Sequence, residues 1–442
     1  DIRGRYPEEL NMETVYELGR AFGTYYKQHG ASKISVGHDC RESYPVLKDA
    51  LVKGLLETGM DVTYLGMVPT PLLYFSIHEF KLDGAIMITG SHNPPEYNGF
   101  KVCLGKATIY GEEIQKLREI EEKGRFSKGE GSLVNKDVIK PYLDYLKKNI
   151  HPGKIKRRVI IDAGNGVGGL AAPQVYRAMG VDVETLFCEP DARFPNHHPD
   201  PTIPENLVHL KRLVNEKDAD LGISFDGDAD RIGVIDKEGN IIWGDQLMII
   251  FSRAILKKNP GAVIIGGVKC SQVLYDDIKK QGGIPIMWKA GHSLIKSKMR
   301  ETGALFAGEM SGHLFFADRY FGFDDAIYAG ARLLEILTTE DKGVSDLLAG
   351  IPVMVNTPEI RLDCPDDKKF GVVKKLVEEF KQEYEVIDVD GARVLFDGGW
   401  GLVRSSNTQP VLVLRFEAAD EKRLEEIRAL FMEKLERVMQ DQ

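Results

Sequence analysis

Apolar and polar positions along the chain follow one pattern that is written three times. Each copy opens with a short β-branched run: KISVG at 33–37, RVIIDAG at 158–164 and AVIIGG at 262–267. Such runs, bounded by turn residues, predict buried strands. An amphipathic helix follows each and is predicted to stop at glycine (Gly59, Gly180, Gly282 and Gly283), which accepts the left-handed backbone that closes a helix. A second strand comes next, at 61–66, 182–187 and 284–291. A third ends in a polar or glycine-rich loop: AIMITGSHNP at 85–94, LGISFDGDADR at 221–231 and ALFAGEMSGH at 304–313. Strands alternating with helices imply parallel sheets covered on both faces, with ligands at the carboxyl ends of strands. The three loops are therefore expected to wall one shared cleft.

From about residue 356 the pattern changes. PEIRLDC reads as a strand and PDDKKFGVVKKLVEEFKQEY as an amphipathic helix. Four short strand-like runs follow, and a charged helix from about Glu421 to Met439 ends the chain. Strands grouped between helices predict an α+β domain. The expected fold class is α/β: three topologically similar domains with mixed, mostly parallel sheets (1–140, 141–240, 241–355), and a C-terminal α+β domain (356–442), arranged around a central cleft.

Composition narrows the function classes. With 442 residues the chain is too long for one core. A net charge of −9 argues against general nucleic-acid binding, because nothing neutralises a run of phosphates. No stretch reaches the roughly 20 apolar residues of a membrane span. No secretory leader is legible, although the chain starts at Asp1 without methionine. The five scattered cysteines form neither a disulfide framework nor a zinc pattern, and the expectation is a cytoplasmic multidomain protein.

The loops carry the chemistry. DGDAD sets carboxylates at Asp226, Asp228 and Asp230. If the loop is extended, alternate residues point the same way, and three converging anions call for a hard cation, Mg²⁺ before Ca²⁺ or Mn²⁺. An EF-hand fails, since its sixth position would be Arg231 and its twelfth Lys237. A dehalogenase-type aspartate nucleophile wants threonine or valine where Asp230 stands. Arg231, always charged, follows the triplet, and a metal beside an arginine suits a phosphoryl group.

Ser91 lies in T-G-S-H-N, not the G-x-S-x-G of a hydrolase. It reads either as a phosphate-accepting serine whose phosphate also ligates the metal, or as a helix cap. Lys101, in what reads as a tight YNGFK turn beside Ser91 and His92, serves as a general base if burial or a neighbouring cation lowers its pKa. Glu309 and Ser311, with His313 behind, suit adjacent sugar hydroxyls. RSSNTQP at 404–410 is either a phosphate clamp or an ordinary polar turn.

One rival comes from another class. Gly164 to Gly169 satisfies G-x-G-x-x-G after a strand, and Glu189 lies 20 residues beyond. That is the dinucleotide fingerprint of an oxidoreductase. The equivalent loops of the other copies lack it, which favours a close-packing glycine turn. A non-catalytic sugar-phosphate-binding protein with a structural metal is a third reading.

Ordered motifs along the whole chain resemble the α-D-phosphohexomutases, in particular the bacterial phosphomannomutase/phosphoglucomutase group. They are DIRG (1–4), TGSHNPPEYNGFK, DAGNGVGG, FPNHHPDPTIPENL (194–207), DGDADR, GDQL (244–247), VKCS (268–271), GHSLIK (291–296), GEMSGH and RSSNTQP. The resemblance implies a hexose 1-phosphate/6-phosphate mutase acting on mannose or glucose phosphates. It would work through a phosphoserine and a reorienting hexose 1,6-bisphosphate that also serves as activator.

Residue by residue, Ser91 corresponds to the phosphoserine and, with Asp226, Asp228 and Asp230, to the Mg²⁺ ligands. Lys101 corresponds to the acid/base, with His92, Arg231 and His313 at the reacting centre. Arg3, Lys269 and His292 correspond to phosphate or sugar contacts, Glu309 and Ser311 to the sugar-reading pair. Arg404, Ser406, Asn407 and Thr408 correspond to the distal phosphate clamp.

Gln409 and Ala290 depart from the common glutamate and threonine. Gly90 and SNT, rather than the alanine and SGT of phosphoglucosamine mutases, favour a plain hexose phosphate. Hexose phosphates are the only partners implied, with no nucleic acid or membrane, on a monomer or homodimer.

Overall fold

A computed structural model describes residues 1–406 and 410–440. Its 22 strands form four sheets. The first contains β1 (Ile2–Arg5), β2 (Lys33–His38), β3 (Asp61–Met67), β4 (Gly84–Ile88), β5 (Tyr97–Leu104), β6 (Ala107–Thr108) and β7 (Leu133–Asn135). The second contains β8 (Arg158–Asp162), β9 (Asp182–Leu186), β10 (Leu221–Phe225), β11 (Ile232–Asp236) and β12 (Ile241–Ile242). The third contains β13 (Val263–Gly267), β14 (Ile284–Trp288), β15 (Phe306–Gly308) and β16 (Leu314–Phe316).

The threefold repeat is present. In each copy the opening strand lies between the second and third, all parallel: β3-β2-β4, β9-β8-β10 and β14-β13-β15. The helix-closing glycines Gly59, Gly180 and Gly282 all have φ near +80°. A fourth strand then returns antiparallel to the third: β5 on β4, β11 on β10 and β16 on β15. The chemistry-bearing loops are thus hairpin connections, which makes each sheet mixed.

Sequence reading missed these return strands, and one expectation needs correction. Tyr97–Leu104 is a strand rather than a tight turn, and Lys101 sits within it opposite Met87. The residues that follow Lys101 (Val102 and Cys103) are buried, so the segment pairs along β4 instead of folding back on itself.

The fourth sheet is antiparallel: β17 (Val355–Asn356), β18 (Ile360–Asp363), β19 (Glu385–Ile387), β20 (Ala392–Phe396), β21 (Gly399–Ser405) and β22 (Val411–Ala418). The helices Asp366–Phe380 and Glu421–Gln440 bury Leu376, Phe380, Phe431 and Leu435 against it. The largest apolar core is continuous across the first three sheets: Met87, Ile161, Phe225 and Phe306 belong to one cluster. The domains are therefore packed on one another, which fixes the hairpin loops relative to each other.

Candidate active site

The loop after β4 holds Ser91 at φ +49°, a conformation that costs a non-glycine residue energy. The strain is retained because buried groups pin the loop from several sides. The Arg41 guanidinium, fully buried, donates to the carbonyls of Ser91 (2.9 Å), Asn93 (2.7 Å) and Tyr97 (2.8 Å) and to that of Pro94. Its charge is met by Asp39 at 3.1 Å. Asp39 Oδ2 also accepts from Thr89 Oγ1 (2.8 Å) and the Gly90 N–H (3.0 Å). No helix follows Ser91, so the capping role is excluded.

The Ser91 hydroxyl is buried, 3.0 Å from Asp226 Oδ2 and 3.1 Å from His92 Nδ1. Opposite it, residues 226–231 form a tight turn, not the extended loop expected. Ala229 has φ +60°, and Asp226 Oδ1 accepts the N–H groups of Asp230 and Arg231, both at 3.1 Å. The turn, rather than strand alternation, gathers the carboxylates. Gly227 is required by close approach: a Cβ there would lie 2.4 Å from the Ser91 carbonyl oxygen. From behind, Val167 donates its N–H to Gly227 O at 3.0 Å, and a Cβ on Gly166 would lie 2.6 Å from the same oxygen. Gly166 and Val167 thus pack against the acidic turn, where a dinucleotide fold would need room for a pyrophosphate, and Val167–Leu170 form a 3₁₀ turn rather than a long helix.

Asp226, Asp228 and Asp230 each offer a carboxylate oxygen within 4.8 Å of the others, and all are fully buried. Burial, then the charges of Asp230 and Asp228, push the Asp226 carboxyl well above the usual carboxylate range. Asp228 Oδ1 and Asp230 Oδ1 are buried without a hydrogen-bond partner. An all-oxygen donor set with orphaned anionic atoms fits a hard divalent cation.

Lys101 faces the outer side of the same carboxylates. Its Nζ donates to Asp228 Oδ2 at 2.8 Å and to Asp230 Oδ2. Burial alone would lower the lysine pKa, but Asp228, Asp230 and Asp324 outweigh it and raise it. The condition for a general base, a lowered pKa, is therefore not met. Lys101 is a charged donor, not a ready base.

The three hairpin loops are stitched together. Thr70, at the start of the helix Thr70–Glu79, donates its N–H to Asp228 O (2.9 Å) and its hydroxyl to Asp228 Oδ2 (2.6 Å). Ile232 N–H reaches Gly312 O at 3.1 Å, and Arg231 Nε donates to His313 Nε2 at 3.0 Å. His92, next to Ser91, has its pKa held well below the ordinary value by the Arg231 charge and then by burial.

The remaining expected residues surround this centre. Arg3 pairs with Asp1 at 3.1 Å from β1, adjacent to the Lys101 strand. His292 Nε2 lies 3.2 Å from Asp1 Oδ1, and its ring stacks 5.8 Å from that of His313. Glu309 is buried and accepts the Gly291 N–H at 2.9 Å, while Ser311 is half-buried in the same loop. Lys269 pairs with Glu359 at 2.9 Å, and Arg404 Nε donates to Asp390 at 2.8 Å. Asp390 also accepts the Ala290 N–H at 3.1 Å, which links the fourth domain to the third. Ser406 is buried where the fourth-domain loop leaves β21. Asn407 and Thr408 lie outside the described residues.

Asp39, Arg41, Thr70, Lys296 and Asp324 hold the centre together but were not expected as site residues. Charged residues directly after a buried strand, as in GHDCR, were the available signal for Asp39 and Arg41.

A four-domain α/β protein whose three hairpin loops meet around a buried serine and an acidic triad is what fold and site define. Family models for phosphoglucomutase/phosphomannomutase match in order: alpha/beta/alpha domain I over 1–128, domain II over 140–239, domain III over 243–354 and the C-terminal domain over 359–434. The chain belongs to this family. It is 46% identical to a phosphomannomutase/phosphoglucomutase of Pseudomonas aeruginosa over 439 residues, 99% of this chain and 95% of that protein. It is also 46% identical to a phosphoglucomutase of Neisseria gonorrhoeae, over 98% of this chain and 94% of the relative. The crystal structure of a phosphoglucomutase/phosphomannomutase family protein from Burkholderia thailandensis superposes with a TM-score of 0.93 at 43% identity, covering 99% and 96% of the two chains. The oxidoreductase reading is thereby overturned.

Proposed function

We propose that the protein interconverts hexose 1-phosphates and hexose 6-phosphates by passing a phosphoryl group through Ser91. The observation that carries this reading is the strained, buried Ser91 hydroxyl 3.0 Å from Asp226, at the one place where an acidic triad, Arg231 and Lys101 converge. Mg²⁺ held by Asp226, Asp228, Asp230 and the Ser91 phosphate would supply positive charge to the transferring phosphoryl oxygens and the departing serine oxygen.

The chain's own residues supply the rest. Arg231 and His92 flank the phosphoryl group. The free hydroxyl of the sugar phosphate forms a bond to phosphorus as the bond from phosphorus to Ser91 Oγ breaks. The hydroxyl proton passes to His313 Nε2, and Ser91 Oγ, leaving with its electron pair, takes a proton from the Lys101 ammonium. The hexose 1,6-bisphosphate then turns end for end, and the same steps run backwards on its other phosphate. His313 returns its proton to the sugar oxygen, and Lys101 recovers one from Ser91.

Glu309 and Ser311 read sugar hydroxyls in both orientations, while Arg404, Ser406, Asn407 and Thr408 clamp the distal phosphate. Arg3, Lys269 and His292 complete the contacts. A bisphosphate activator primes Ser91. The five free cysteines support a cytoplasmic setting, and no helix among the described residues is long and apolar enough to cross a membrane.

Parallel kcat/KM measurements on mannose, glucose and glucosamine 1-phosphates test this reading. Mannose and glucose phosphates are expected to exceed glucosamine phosphate by roughly tenfold or more, about 1.4 kcal/mol in the transition state. A preference for glucosamine 1-phosphate overturns the substrate assignment, and no turnover of any of the three overturns the mutase.

A further inference from the structure

Behind the acidic triad lies a second buried cluster, centred on Asp324, which follows β16. Asp324 is completely buried, and its two oxygens face different partners. Oδ1 accepts from Lys296 Nζ at 2.9 Å. Lys296 is itself buried, and its ammonium lies 4.2 Å from the centre of the Tyr74 ring. Oδ2 faces two imidazoles, His313 Nδ1 at 3.4 Å and His292 Nδ1 at 3.6 Å. His313 Nδ1 also faces Asp230 Oδ1 at 3.6 Å. All four of these facing atoms are buried without a formed hydrogen bond.

The proton positions follow from the partners on the far sides of the rings. Arg231 Nε can only donate, so His313 Nε2, 3.0 Å away, must present its lone pair. A neutral imidazole has one N–H, and in His313 it is therefore on Nδ1, pointing at Asp324 and Asp230. His292 is arranged the other way. Its Nε2 lies 3.2 Å from the Asp1 carboxylate, which accepts, so its N–H is on Nε2. The neighbouring rings hold opposite tautomers, and Asp324 Oδ2 has one donor to accept from. Asp230 is the weaker candidate for that role, because its other oxygen is taken by Lys101 and the residue belongs to the cation-binding triad.

We propose that Asp324 is a positioning residue that holds His313 in the Nδ1–H tautomer, keeping the Nε2 lone pair on the side of Arg231 where a substrate hydroxyl arrives. This rests on the reading of His313 as the proton acceptor in phosphoryl transfer. Lys296 aims the carboxylate by occupying Oδ1 and leaving Oδ2 for the ring. Burial pushes the Asp324 carboxyl up, but the Lys296 ammonium together with His313 and His292 outweighs it, and the group stays well below the ordinary carboxylate range.

The isosteric Asp324→Asn variant makes the inference sharp. Lys296 can only donate, so it claims the amide oxygen and turns the NH₂ group towards His313. Nδ1 must then accept, and the ring proton moves to Nε2, against Arg231. The expected outcome is a fall in kcat of roughly 10²- to 10³-fold with KM changed by less than about threefold, as for a lost orienting carboxylate. In ¹⁵N-histidine NMR of the full chain, assigned by the resonance missing from His313→Asn, wild-type His313 should carry its proton on Nδ1 and the Asp324→Asn variant on Nε2. A wild-type spectrum with the proton on Nε2 overturns the proposal without any variant. So does an Asp324→Asn enzyme that keeps wild-type kcat. Retention of wild-type turnover by His313→Asn would instead remove the proton-acceptor reading, a separate failure.

Discussion

The two ends of the site are built on opposite plans. Around Ser91, position is set by backbone and fully buried groups: Arg41 on four loop carbonyls, Thr70 on Asp228, Ile232 paired with Gly312. Around the fourth domain the cations rest on carboxylates that keep some solvent contact. Lys269 and Glu359 are 20% and 24% exposed at their side chains, and Arg404 and Asp390 are 9% and 18% exposed. The reacting end is preorganised, because groups that act on a transition state must already be in place. On the proposed function the recognising end would be exchangeable, because a phosphate dianion can replace a carboxylate using the same charge-assisted hydrogen bonds. A substrate that must bind in two orientations needs one of each.

Substitutions at the two ends should separate accordingly. Ser91→Ala is expected to lower turnover of mannose 1-phosphate by at least about 10⁴-fold in a coupled assay, since the covalent route is lost. Activity within tenfold of wild type would break the comparison at its root. Asp228→Asn should cost roughly 10²- to 10³-fold in kcat. The same variant should show little of the rise in Tm that added Mg²⁺ gives the wild type, and an undiminished rise would remove Asp228 from the cation site.

Stability supplies the next contrast. Arg41→Met strands the buried Asp39 charge and four carbonyls, and should destabilise the protein by about 3–5 kcal/mol in urea unfolding. Arg404→Met should cost under about 1 kcal/mol yet raise KM roughly 10- to 100-fold, the loss of one or more charged hydrogen bonds to phosphate. Equal destabilisation by the two would show that the recognising end is as preorganised as the reacting one. The smallest effect is expected from Asp390→Asn, which frees Arg404 and should lower KM by about two- to threefold. An increase in KM would mean that Asp390 orients Arg404 instead of restraining it.

Much of this arrangement was legible in the chain because it repeats. The opening, second and third strands and the helix-closing glycines recur in order, and the period exposes the loops that differ. The return strands were less visible: in IGVID and LFF no helix separates them from the preceding loop, and YNGFKVCL contains turn-like residues. The residues that hold the centre rigid were least visible, with a signal only for Asp39 and Arg41 in GHDCR. Arg41 meets Asn93 across 52 positions, Thr70 meets Asp228 across 158, and Lys296 meets Asp324 across 28. A contact between distant segments has no local spacing to betray it, and a charged partner alone reads as a surface charge. The Lys101 charge state is of the same kind. Burial alone would lower its pKa, and the positions of Asp228, Asp230 and Asp324 reverse the sign.

The central claim, that Ser91 carries the phosphoryl group between halves of the reaction, is tested most directly by intact-mass spectrometry. Incubation with glucose 1,6-bisphosphate should add one phosphate, located at Ser91 by peptide mapping, and excess glucose 1-phosphate should move it onto product. Catalytic turnover with no phosphate ever detectable on Ser91, or with a phosphate that substrate does not discharge, would contradict the account.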